Sequence, residues 1–410
     1  MKIAIHDFGG YPFTIQLARA LAAKGHDTLY LYSSGLITPK GAMGEREGEQ
    51  GRLSIEPVRL ADGRATRRAG PRRLLQEHQY GTRLAARIRA WGADVVMSAN
   101  TPLPAQAKAL RATHLARAAF VFWLQDIHSQ AIARLVGRRI PLAGRLIGSR
   151  FERTERDLLI ASDAVVAVSE DFIPFLTNWD IPEAIITVQE NWAPLEEVPP
   201  QPKSNAWSQS HELDRVPVLL YSGTLGRKHD PSLLVALADG LPDARIVVVS
   251  EGTGTKRLRD AARSRPNVTL LPLQPIDRLP EVLGSADVLL AILDPEATVF
   301  SVPSKVLTYL AAERPILAAI PAANLAARTI QTAGAGRVVD PTNADALVGA
   351  ARAMLSDPGG RNRMGHAARD HAEREFPIEP IADRFESVLL AAVQLGQSKG
   401  RRRADTAGAR

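Results

Sequence analysis

Residues 218–252, VLLYSGTLGRKHDPSLLVALADGLPDARIVVVSEG, decide the fold. VLLYS is a short unbroken apolar run, and GTLGRKHD is a turn-rich loop. PSLLVALADGL carries apolar residues at helical spacing, and ARIVVV is a second apolar run. A strand, a helix and a further strand in that order form a parallel βαβ unit, because parallel neighbours need a crossover of that length.

The same alternation extends in both directions. Downstream come the strands VTLLPL, ADVLLAIL and PILAAI with helices between them, then a mostly helical stretch over 343–394. Upstream, KIAIH from Lys2, DTLYLY from Asp27, DVVMS from Asp94, AFVFWL from Ala119 and DAVVAVS from Asp163 alternate with helices over 14–25, 104–114 and 143–161. Between the halves, ENWAPLEEVPPQPKSNAWSQSHELDRV (190–216) is polar and Pro-rich, as a linker is. The expected class is α/β with two doubly wound, Rossmann-like domains. The expected segments are a first domain over 1–195, a linker over 196–216 and a second domain over 217–376. A helix over 377–395 returns to the first domain, and 396–410 is a disordered basic tail. Such sheets bind ligands at the carboxyl ends of their strands, which places the expected site in an interdomain cleft.

Composition narrows the function. The 410 residues suit two domains, and 45% apolar with 23% charged residues is ordinary for a globular chain. Cysteine is absent, which excludes disulfide scaffolds, cysteine-held zinc, iron–sulfur clusters and thiol nucleophiles. The N-terminus has too short an apolar run for a signal peptide, and no run is long enough to span a membrane. The expectation is a cytoplasmic protein, peripheral at most on the inner face of the cell membrane. The net charge of +7 is concentrated: residues 58–156 hold 19 Lys/Arg against 6 Asp/Glu. That surplus implies an anionic partner. The basic stretch GRATRRAGPRRLL has no aromatic residue on which a base could stack, so nucleic acid is not expected. An anionic membrane surface or a phosphate-bearing ligand is.

Four loops have phosphate-binding character. Gly9-Gly10 follows the first strand and precedes a helix, where backbone amides favour an anion. YSGTLGRKHD holds Gly223, Gly226, Arg227 and Lys228 at the matching place in the second half. SEGTGTK brings Glu251, Gly252 and Gly254 to a third turn. In SVPSKVLTYLAAERPILA, Ser304 stands at a helix N-cap position, so the amides of Lys305, Val306 and Leu307 and the Lys305 charge are expected to face a diphosphate.

Taken together, KIAIHDFGGYPFTIQLARALAAKGHDTLYL, FWLQDIHSQAIARL, ENWAPLEEV, NAWSQSHEL, YSGTLGRKHD and VPSKVLTYLAAERPILA resemble a retaining family 4 glycosyltransferase of the GT-B fold, of the kind acting in capsule, colanic-acid-like or exopolysaccharide assembly. The resemblance implies a nucleotide sugar on the second domain and a glycan or polyprenyl-diphosphate-linked acceptor on the first. It implies that Arg227 and Lys228 grip the donor diphosphate, that Ser304 and Lys305 form the turn meeting the phosphates, and that His128, beside Asp126, faces acceptor and donor sugar. His128, Lys228 and Lys305 are thereby the expected catalytic residues.

One departure stands out. The family has two glutamates eight positions apart, the second commonly on the ribose, where this chain has Phe300 and Thr308. Either Thr308 makes a weaker ribose contact, or this branch holds its donor differently. No Asp-x-Asp occurs, so no metal and no cofactor is expected beyond the nucleotide sugar itself. A sugar-nucleotide epimerase of the same fold and a catalytically silent nucleotide-sugar-binding protein are the alternatives.

Overall fold

Strands covered on both faces read as unbroken apolar runs, and the central strands of both sheets here are such runs. The computed structural model describes the chain except residues 47, 50, 61–62, 64–69, 138–140, 227–228, 297–302 and 409–410, and the side chains of 71, 131, 134–137, 141–146 and 399–408. It comprises two compact units, Met1–Glu190 with Ile378–Arg410, and Asn191–Pro377.

The first unit runs β1 (Lys2–Asp7), α1 (Pro12–Ala23), β2 (Asp27–Ser33), β3 (Leu53–Val58), α2 (Pro71–Trp91), β4 (Val95–Ala99), α3 (Leu103–Leu115), β5 (Ala119–Leu124), α4 (His128–Gly137), α5 (Pro141–Ala161), β6 (Ala164–Ala167), α6 (Ile173–Asn178) and β7 (Ile186–Val188). Its seven parallel strands lie in the order β3-β2-β1-β4-β5-β6-β7. β4 and β5 are buried along their whole length. The order reverses between β1 and β4, so their carboxyl ends flank the topological switch point.

The second unit runs α7 (Ala206–Ser210), β8 (Val218–Ser222), α8 (Ser232–Gly240), β9 (Arg245–Val249), α9 (Thr253–Ala262), β10 (Val268–Leu271), α10 (Leu279–Gly284), β11 (Val288–Ile292), α11 (Lys305–Ala311), β12 (Ile316–Ala319), α12 (Leu325–Ala333), β13 (Gly336–Val339), α13 (Ala344–Leu355) and α14 (Pro358–Glu375). The order β10-β9-β8-β11-β12-β13 puts its switch point between β8 and β11. Leu219, Tyr221, Ile246, Val248, Leu290 and Leu317 meet Leu234, Leu237 and Met354 in its core.

The chain then re-enters the first unit as α15 (Ile378–Gly408). Phe385 lies 4.8 Å from Trp123 between ring centroids, Leu389 and Ala392 are buried, and Glu386 pairs with Lys24 and His26. Two segments differ from expectation. Residues 196–216 are not a free linker. Asn205 forms a capping box with Ser208 and donates to the Glu281 carbonyl, Lys203 pairs with Asp287, and Trp207 is buried in the second unit. In the tail over 396–410, expected to be disordered, α15 runs as far as Gly408.

Candidate functional site

Each unit places a polar cluster at its own switch point. In the first, β1 ends in Asp7, whose carboxylate is fully buried. It accepts from the Gly9 amide at 3.0 Å, the Tyr11 amide at 2.6 Å, Thr14 Oγ1 at 2.9 Å and Asn100 Nδ2 at 3.1 Å. The Gly10 amide turns back to the Asp7 carbonyl at 3.2 Å. Burial raises the Asp7 pKa against the lowering effect of these bonds. Gly9 and Gly10, expected to meet a donor phosphate, thus have their amides occupied by the protein's own oxygens. An acid at the strand end takes the place of an external anion.

Behind Asp7 lies a neutral histidine. Ser98 Oγ donates to Gln106 Oε1 at 2.7 Å, and Thr101 Oγ1 donates to the Ala99 carbonyl at 2.8 Å. Both hydroxyl protons are therefore spent, which assigns the proton to His6 Nδ1, 3.0 Å from Ser98 Oγ, and leaves His6 Nε2 to accept from Tyr80 at 2.8 Å. Burial lowers the His6 pKa to about 3.

His128 opens α4 after β5. The fully buried Glu155 of α5 accepts from the His128 amide at 2.9 Å and the Ser129 amide at 2.8 Å, and its Oε1 lies 3.7 Å from His128 Nδ1. A carboxylate at a helix N-terminus is favoured by the helix dipole. Glu155 thus holds the His128 backbone, while among the described residues the ring Nδ1 makes no hydrogen bond and stands 3.7 Å from Oε1. Asp126 is half-buried two residues earlier, and its charge acts on the Tyr11 phenol, whose pKa is raised mainly by burial. The structure brings Asp126, His128 and Asp7 to the carboxyl ends of the central strands of this unit.

In the second unit, β8 ends in Tyr221 and Ser222, followed by Gly223 at φ +123°, a conformation reserved for glycine. The Lys305 side chain crosses this glycine, its Nζ 3.7 Å from where a Cβ would stand. Lys305 Nζ donates to the Tyr221 hydroxyl and lies 3.7 Å from the Tyr221 ring centroid. Burial pulls its pKa well below the ordinary lysine range, and among the described residues no carboxylate pairs with it. One turn on, the buried Tyr309 accepts from the Ser222 amide at 2.9 Å and donates to the Ser222 carbonyl at 3.0 Å. A half-buried amine with no counter-ion among the described residues holds its proton better once an anion arrives, so this corner favours an anion.

Several expected contacts take a different form. Ser304 makes no side-chain cap, and the Val306 and Leu307 amides close tight turns on the Pro303 and Ser304 carbonyls at 3.1 and 3.2 Å. They are therefore not the open donors expected, and the buried Val306 side chain belongs to the core. Thr308 shares the half-buried face of Lys305, three residues on. The Gly252 loop packs inward. At φ +135°, a Cβ there would stand 2.4 Å from the Leu225 carbonyl oxygen, while Leu225 donates to the Glu251 carbonyl at 2.9 Å. Its glycines fit Leu225 and do not form an open cradle. Arg227, Lys228 and Phe300 lie outside the described residues.

Sequence reasoning did not single out Asp7, Glu155, Tyr221 or Tyr309. A tyrosine in the aliphatic run VLLYS was the available signal for Tyr221. Glu155 offered none, because its partners are 26 and 27 positions away.

Comparison with known proteins gives the family and the fold. Residues 12–197 match the profile of Glycosyltransferase Family 4, and residues 203–371 that of Glycosyl transferases group 1. The chain belongs to the family 4 glycosyltransferases. The putative colanic acid biosynthesis glycosyl transferase WcaI of Escherichia coli strain K12 is 29% identical over 177 residues, 42% of this chain and 42% of that protein's length. Anabaena Alr3699/HepE in complex with UDP and glucose superposes with a TM-score of 0.71 at 15% identity, over 95% of this chain and 100% of that one. Sucrose-phosphate synthase of Thermosynechococcus elongatus gives a TM-score of 0.68 at 17% identity, over 99% and 100%. At these identities the shared property is the GT-B fold. Among the described residues of this family member, no helix is long and apolar enough to cross a membrane, and no group of three or more His, Asp or Glu side chains is placed to hold a metal.

Proposed function

We propose that this chain transfers a sugar from a nucleoside-diphosphate sugar to a glycan or polyprenyl-diphosphate-linked acceptor, with retention of configuration and without a metal. The observation that carries the reading is Lys305, held over Gly223 at the second switch point with no carboxylate paired to it among the described residues. The UDP and glucose named for the Anabaena structure support a nucleotide-sugar donor, and the WcaI match supports an exopolysaccharide setting.

In the proposed reaction the bond from the anomeric carbon to the diphosphate oxygen breaks, and a bond to the acceptor oxygen forms on the same face. The acceptor's proton passes to the departing phosphate oxygen. Lys305, with Arg227 and Lys228 of the same unit, stabilises the charge developing on that leaving group. His128, anchored by Glu155, orients the reacting groups, and Thr308 takes the ribose contact. The basic first unit docks on anionic lipid, consistent with Arg72 and Arg73 beside the exposed Leu74 and Leu75 in the first turns of α2. The proposed location is the cytoplasmic face of the membrane, where anionic lipid is enriched.

The test is a transfer assay preceded by a thermal-shift screen over nucleoside diphosphates and their sugars. Lys228→Ala and Lys305→Ala should each cut turnover sharply with the fold intact, and activity should persist in EDTA. Near-normal transfer by both variants would overturn the assignment. Turnover of the nucleotide sugar without acceptor would favour an epimerase, and binding without turnover a silent nucleotide-sugar-binding protein. Sedimentation with anionic liposomes that is indifferent to salt and lipid charge would refute the docking.

A further inference from the structure

The Tyr221 hydroxyl joins two parts of the second unit that are far apart in sequence. It donates its single proton to the Thr224 carbonyl at 2.9 Å, so toward Lys305 it acts only as an acceptor. That acceptor favours the ammonium form over the neutral amine, because the bond is stronger to a charged donor. The ring face adds a cation–π contact, with Nζ 3.7 Å from the centroid. Tyr309, four residues after Lys305, holds Ser222 through both its amide and its carbonyl. The end of β8 and the start of α11 are thus fastened at two successive residues, one tyrosine from each element. Titratable groups near this corner include the Tyr309 phenol, kept neutral by burial, and His229, whose ring lies 6.2 Å edge-on from Tyr221, and the neighbouring strands β9 and β11 are followed by Glu251, Asp294 and Glu296.

We infer that Tyr221 is the positioning residue for Lys305, holding the ammonium over Gly223 for the diphosphate of the donor. The inference rests on the donor-site reading above. Tyr221 acts through Lys305, and its hydroxyl is the part that matters.

The experiment is a double-mutant cycle read by calorimetric UDP binding, with thermal unfolding recorded for every variant. Tyr221→Phe keeps the ring and should weaken UDP binding about tenfold, the loss of one charge-assisted hydrogen bond, with little change in melting temperature. Lys305→Met should weaken it more, and adding Tyr221→Phe to Lys305→Met should cost nothing further. With the acceptor gone, the alkaline limb of UDP affinity should also move to lower pH in Tyr221→Phe. Unchanged UDP affinity in Tyr221→Phe, or full additivity in the double variant, overturns the positioning role while leaving the donor site standing. If the parent chain binds none of UDP, GDP, ADP and dTDP, the donor-site reading fails and this inference falls with it.

Discussion

The two switch points of this chain share a topology and carry opposite electrostatics. β1 ends in Asp7 and β8 in Ser222, each followed by a glycine-bearing turn. In the first unit the acid gathers the Gly9 and Tyr11 amides, Thr14 and Asn100, so the turn is complete in itself. In the second the strand end is neutral, and Lys305 of α11 lies against it, with no carboxylate on that lysine among the described residues. A glycine pair after a strand therefore does not make a phosphate site. The residue that ends the strand decides whether the turn is satisfied internally or left to a ligand.

The contrast is open to direct attack, beginning where the largest effect is expected. Asp7→Asn turns an amide NH₂ toward groups that donate and should cost roughly 3–5 kcal/mol of unfolding free energy. UDP affinity should be unaffected. Denaturant unfolding with calorimetry reads both, and a loss of UDP binding in a folded Asp7→Asn protein would mean that the two ends do not divide the work.

The neighbouring His6 gives a pH signature of the first end. Its folded pKa of about 3 lies below the unfolded value of 6.5, so the unfolded chain binds more protons across that interval. Its contribution to stability therefore falls as pH falls, by about 3 kcal/mol between roughly pH 6.5 and pH 4. Asp7, with its raised pKa, slopes the other way. The difference between parent and His6→Asn unfolding curves isolates the histidine, and parallel curves would contradict its buried neutral state.

Moving the acid across should convert one end toward the other. Ser222→Asp puts an acid at the end of β8, as Asp7 stands at the end of β1, and should weaken UDP binding about 10–100-fold by opposing the donor phosphates. Retained affinity in the folded variant would break the comparison at its centre. A smaller effect is expected at the acceptor side. Glu155→Gln leaves one oxygen to accept the α4 amides but loses the charge beside His128, and transfer should fall about three- to tenfold with donor affinity unchanged. An equal fall in UDP affinity would place His128 with the donor instead.

What was legible in the sequence follows the physics of burial. VVMSA, AFVFWL and VLLAI lie inside the sheets and announce themselves as unbroken apolar runs. The edge strands β3, β7 and β13 escaped notice: LSIEPV is half-exposed and contains Pro57, while ITV and GRVV are short and only partly buried. The arginines of α2 break up its apolar spacing, so local pattern marks it weakly as a helix. At the sites, Lys305 was legible because a basic residue at a helix start has a plain electrostatic meaning. Its partner Tyr221 is 84 positions away, and Asp7 looks like any acid after a strand until the Asn100 contact, 93 positions off, is known. Pairings of that range are set by strand order, which local pattern does not encode.

The return of α15 to the first unit has a consequence for synthesis. Trp123 waits for Phe385, and Lys24 and His26 wait for Glu386, all of which emerge only after the whole of Asn191–Pro377. On the ribosome the second unit can close its own core first, while the first keeps an unfinished apolar face in need of protection. The half of the protein that begins translation is thus the last to mature, reversing the usual N-to-C order of domain folding.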